Sequence, residues 1–67
     1  MAKKNSEAAE DLKTYYKAMR EGNCDLALLI ERKYKVDGYS PEIVSIGLTA
    51  LANGKSMFKA IDAATGF

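Results

Sequence analysis

The stretch "YSPEIVSIGLTALANGKS", residues Tyr39 to Ser56, decides how this chain is read. Ser40 followed by Pro41 is a helix start: the serine oxygen caps the first turn, and the proline ring pre-sets the first helical φ. Gly54 is a helix stop. Between them, at about 100° per residue, Glu42, Ser45, Thr49 and Asn53 fall within an arc of about 80°. The remaining roughly 240° is apolar: Ile43, Val44, Ile46, Gly47, Leu48, Ala50, Leu51 and Ala52. A helix resting on one small core needs an apolar stripe only a little over 100° wide. This helix therefore either runs through the centre of a bundle, or packs one flank inside the protomer and offers the other, near Val44 and Leu48, to a second chain. The small Gly47 and Ala50 permit close helix approach in both arrangements.

Working outward, the other segments also read as helices. Asn5 or Ser6 caps a helix running to about Arg20, with Glu7, Glu10 and Asp11 in its first turns, where the helix dipole favours acids, and Gly22 at its end. Ala8, Leu12, Tyr15 and Met19 recur on one face. Asn23 caps a second helix, from Cys24 to Lys35, on which Leu26, Ala27, Leu29, Ile30 and Tyr34 share a face. Leu28 points away from it, toward Glu31, Arg32 and Lys35. Asp37-Gly38 is a turn signal. A fourth helix, Ser56 to Ala64, carries Met57, Ile61 and Ala64 on one stripe with Phe58 beside them. The expectation is an all-α fold: a small bundle of about four short helices, homodimeric, with residues 1–5 as a flexible N-terminus and 6–67 as a single helical domain.

Size supports the expectation of association. With 67 residues, one core supplies only about 3–5 kcal/mol of net stability, and small chains usually add a disulfide, a metal or a partner. Cys24 is the single cysteine and there is no histidine, so neither an intrachain disulfide nor a Cys/His metal site is available. A partner chain remains.

Charge excludes other classes. The formal net charge is +1, so no strong field draws nucleic acid or a basic partner. Hydrophobic residues at 48% argue against disorder. No apolar run is long enough to span a bilayer. The start, "MAKKNSEAAEDLK", lacks the apolar segment of a secretory signal, and one thiol suits a reducing compartment, so the expected location is the cytoplasm.

The motifs that carry chemistry are sparse. "NGKS", Asn53 to Ser56, contains the Gly-Lys-Ser of a phosphate-binding loop, but Thr49 stands where the motif needs its first glycine. It reads as a helix–helix turn. Serine or cysteine nucleophiles need a base, and the commonest one is absent. No cofactor motif is present, and the expectation is a protein that is not an enzyme. Tyr15, Tyr16, Tyr34 and Tyr39 lie near Lys13, Lys17, Arg32, Lys33 and Lys35, a mixture that suits protein interfaces and stacking on single-stranded bases. Tyr15 reads as core, and Tyr39 as the best contact residue.

Residues 29–48, "LIERKYKV" through "SPEIVSIGL", resemble the bacterial helix-turn-helix, with Leu29, Tyr34, Val36, Ser40, Val44 and Leu48 as the matching positions. The resemblance implies a DNA-binding transcriptional regulator whose recognition helix is the Ser40–Asn53 segment. Arg32, Lys33, Lys35 and Lys55 are its candidate nucleic-acid contacts. The chain departs from the pattern in three places. Glu31 replaces a small alanine, Lys35 replaces the turn glycine, and Asp37, Gly38 and Tyr39 are additional. A recognition helix also needs cations or amides aimed at the DNA, and Glu42, Ser45, Thr49 and Asn53 include no positive charge.

The leading expectation is therefore a small helical interaction module, of the regulator or inhibitor kind that phages and mobile elements encode. It binds another protein and covers a functional surface on it. Its expected partner or dimer interface is Leu28, Tyr39, Val44, Leu48 and Leu51. The DNA-binding regulator is the alternative.

Overall fold

Four polar side chains start four helices. Asn5, Asn23, Ser40 and Ser56 each accept a hydrogen bond from the backbone N–H three residues on: Ala8 at 3.0 Å, Leu26 at 3.2 Å, Ile43 at 3.4 Å and Lys59 at 3.3 Å. Each bond satisfies a donor that the helix itself leaves open. The helices they open are α1 (Ser6–Glu21), α2 (Cys24–Lys33), α3 (Pro41–Ala52) and α4 (Met57–Thr65). The computed structural model describes residues 5–66. The expected flexible N-terminal stretch lies outside the described residues, apart from Asn5. That residue is part of the fold: it caps α1, and its N–H donates to the Ala52 carbonyl at the end of α3, 3.0 Å away.

Three helices stop in the same way. After α1, α2 and α3 the chain turns through one residue with positive φ: Gly22 at 71°, Lys35 at 58° and Gly54 at 78°. In each case the next N–H reaches back to a carbonyl five residues earlier: Asn23 to Ala18, Val36 to Glu31 and Lys55 to Ala50, all at 2.8 Å. This reversal closes open carbonyls at the helix end. It ends α2 at Lys33, earlier than the apolar periodicity suggests, because Lys35 has left the helical region. The reversal also turns Val36 inward, where it is fully buried.

α1 packs against both α2 and α3, and α4 packs against α3. The core is built from Ala8, Tyr15, Ala18, Ala27, Ile30, Val36, Val44, Leu48, Met57 and Ile61. Leu12, Leu26, Tyr34, Ile43 and Leu51 pack around it. Gly47 lets α4 approach closely: a Cβ there would lie 2.9 Å from Met57 Cγ and 3.0 Å from Ile61 Cδ1. No helix among the described residues is long and apolar enough to cross a membrane.

The excess apolar arc of α3 is thus consumed inside the protomer. Val44 and Leu48 are 0% exposed, and Gly47 is buried between them and α4. The expected placement of a partner surface at Val44 and Leu48 is corrected on this point. Neighbouring helices occupy that flank, and exposing either side chain would open the core. Leu51 is half-buried against the same cluster. Ile46, at the border of the polar strip, is the apolar residue of α3 left exposed.

Candidate functional site

Polar chemistry concentrates where α1 meets α2. Lys33 Nζ, on the last turn of α2, donates to Asp11 Oδ2 at 2.8 Å and to Glu7 Oε2 at 2.9 Å. The Tyr34 hydroxyl donates to the same Asp11 oxygen, and the Lys33 ammonium lies 5.5 Å from the Tyr34 ring centre. Deeper in the seam, Tyr15 OH donates to Glu31 Oε2 at 2.8 Å. Partial burial pushes the Asp11 carboxyl up, but the hydrogen bonds from Lys33 and Tyr34, with the lysine charge, outweigh it and hold it below the usual range. Burial, then the Asp11 hydrogen bond and charge, push the Tyr34 phenol up to about 12. Burial, then Glu31, moves the Tyr15 phenol well above the ordinary tyrosine range. The hydrogen bonds to Asp11 and then Glu7 raise the Lys33 ammonium. Every member is matched to a partner within the seam, and no buried side-chain polar atom among the described residues lacks one. The network fastens α1 to α2.

The outer surface of α2 has the opposite character. Leu29 is 66% exposed and Leu28 is 38% exposed. A shallow apolar depression lined by Leu26, Leu29, Ile30 and the stems of Arg32 and Lys33 lies on one side of the helix. A second, lined by Met19, Cys24, Ala27, Leu28, Glu31 and Pro41, lies on the other. Cys24 is exposed and forms no disulfide.

Sequence reasoning placed Leu28 on the surface and grouped Leu29 with the core. The structure corrects the second assignment. At about 100° per residue Leu29 lies about 130° from the mean direction of Ala27, Ile30 and Tyr34, which face the core. The signal was in the helical wheel, but five apolar residues on one short helix conceal which of them is the outlier. Met19, which the periodicity puts on the apolar face of α1, and Phe58, which it puts beside the α4 stripe, are both exposed. Ala64, placed on the α4 stripe, is also exposed, because α4 ends one turn beyond Ile61, past the reach of the core.

The remaining candidate residues scatter. Tyr39 is exposed in the α2–α3 connection. Of the cations named for DNA contact, Lys33 is held by Glu7 and Asp11, while Arg32, Lys35 and Lys55 are exposed. Lys55 lies in the α3–α4 turn, where "NGKS" forms the expected helix connection. Residues 34–40 separate α2 from α3, longer than the roughly three or four residues of a helix-turn-helix turn. α2 and α3 share no broad contact; α1 packs against each of them instead. The exposed strip of α3 is Glu42, Ile46, Thr49 and Asn53.

No protein-family model, curated protein or solved structure matches this chain.

Proposed function

We propose that this chain is a small helical module that binds another protein through the outward face of α2 and regulates it by covering a functional surface. One observation carries the reading: Leu28 and Leu29 stand exposed side by side, each joined to an apolar depression. A ten-residue helix that already buries one face in the core gains nothing in the protomer from a second apolar face. Burying that face against a partner removes it from water, at about 25 cal/mol per Å². Tyr39 is also exposed, in the α2–α3 connection, and tyrosine is enriched at protein interfaces. The cytoplasm is the compartment where such a module with a single exposed thiol would persist unchanged.

Support for the alternative, a DNA-binding regulator, is thinner. The exposed strip of α3 carries an acid and no cation, and Lys33 is already paired within the chain. Both readings are tested by capture of bound material on the tagged chain from native lysate, with and without nuclease, using the wild type and Leu29→Glu. A protein retained after nuclease treatment by the wild type, and lost with a folded Leu29→Glu chain, supports the module. Retention of nucleic acid alone, unaffected by Leu29→Glu, overturns it in favour of the regulator.

A further inference from the structure

The outward face of α2 carries more than two leucines. Asp25 and Arg32 are seven residues apart, about two helical turns, and therefore point within about 20° of each other. Their shared direction lies midway between Leu28 and Leu29, opposite the side on which Ala27, Ile30 and Tyr34 enter the core. Along this face the order is acid, two leucines, base. Asp25 and Arg32 are both exposed, and neither takes part in an ion pair among the described residues. The neighbouring cation Lys33 is committed to Glu7 and Asp11.

This arrangement is complementary to itself when reversed. A two-fold axis between two facing α2 helices, perpendicular to both and level with residues 28 and 29, sets Asp25 opposite the partner's Arg32, and Arg32 opposite the partner's Asp25. It brings the two Leu28 side chains together along one edge of the interface and the two Leu29 side chains together along the other. A parallel pairing instead sets Asp25 beside Asp25 and Arg32 beside Arg32. We infer that a second copy of this chain occupies the outward face of α2, antiparallel, as an isologous dimer. The inference rests on the proposed reading of this face as a protein-binding surface, and the second copy and the regulated protein compete for it, so the dissociated chain is the form that binds the target.

Other elements are consistent with the pairing. The depression beside Leu28 is also lined by Ala27, Met19 and Pro41, and the one beside Leu29 by Leu26 and Lys33. They lie to either side of the outward face, on the two flanks of α2. α2 is ten residues, about 15 Å long, so the contact is small, and the dimer forms and dissociates with concentration.

The test is charge reversal with complementation, read by analytical ultracentrifugation over a concentration series. Asp25→Arg sets arginine against arginine at both ends of the pairing, and Arg32→Asp sets aspartate against aspartate. Each variant alone is expected to dimerise at least tenfold more weakly than the wild type. An equimolar mixture of the two recovers both ion pairs and is expected to return to wild-type dimerisation, as is the doubly reversed chain. Both sites are exposed, and circular dichroism checks that each variant keeps its helices. A wild type that stays monomeric through the millimolar range overturns the inference. So does a dimer that neither reversal weakens, or one that the mixture fails to restore. Each of these leaves nuclease-resistant protein capture to be judged separately, so loss of the dimer and loss of the binding module are distinguishable.

Discussion

Tyr15 on α1 donates its phenolic hydrogen bond to Glu31 on α2 across 2.8 Å, with the tyrosine ring 1% exposed and the carboxylate at the edge of the core. The ring fills the seam between the helices, and the hydroxyl gives the half-buried acid a donor. Replacing Tyr15 by Phe keeps the ring and removes the donor, at an expected cost of about 1–3 kcal/mol because the abandoned partner is charged. Replacing it by Ala also opens a cavity, for about 3–5 kcal/mol. Urea titrations followed by circular dichroism measure both. A Phe variant as stable as the wild type would show that water serves Glu31 equally well.

The α1–α2 network makes stability depend on pH at both ends of the scale. Asp11 has its folded pKa depressed, so its contribution is present above the unfolded value near 3.8 and is lost as pH falls through the folded one. Tyr34 has its folded pKa raised to about 12, so its contribution is present below about 10 and is lost between about 10 and 12. Thermal melts across both windows should show Tm falling in each. Asp11→Asn is expected to flatten the acid limb, and Tyr34→Phe to make the alkaline limb shallower, with Tyr15 still contributing to it.

Lys35 occupies a left-handed conformation at a helix end, where the chain elsewhere uses Gly22, Gly54 and Gly66. A residue with a Cβ pays roughly 1–2 kcal/mol there. Lys35→Gly relieves that strain but adds chain entropy to the unfolded state, for an expected net gain of about 0.5–1 kcal/mol. A shift of the urea midpoint upward with unchanged slope confirms it, and a downward shift would mean that the Lys35 side chain makes a compensating contact.

Gly47 sets the distance between α3 and α4, since even one added carbon meets Met57 and Ile61. Gly47→Val forces two further methyl groups into that contact and is expected to destabilise the fold by about 1–3 kcal/mol. Pairing it with Met57→Ala, which opens space on the facing helix, should recover part of the loss. Strictly additive effects of the two substitutions would argue against direct contact.

Leu48 and Leu29 predict opposite outcomes for the same substitution. Leu48 is fully buried, so Leu48→Glu places an unpaired charge in the core and is expected to unfold a chain of this size. Leu29→Glu is expected to leave the far-ultraviolet dichroism unchanged and to alter only binding. Observing a folded Leu48→Glu chain would mean that α3 is less central than its burial indicates.

The sequence by itself determined the helices. Asn5, Asn23, Ser40 and Ser56 start them and Gly22 and Gly54 end two of them, because a cap acts over three or four residues and needs no tertiary partner. It also showed that α3 has more apolar surface than one face requires. Tertiary structure alone decided how that surface is spent. Val44 and Leu48 could face a neighbouring helix or another chain with the same periodicity, and α1 and α4 packing on α3 settle the matter. The exposure of Leu29 and the commitment of Lys33 to Glu7 and Asp11 were hidden for the same reason. Periodicity records which side chains share a face of one helix. Which helix covers that face, and which charge from 22 or 26 residues away meets a lysine, depends on contacts between segments distant in the chain.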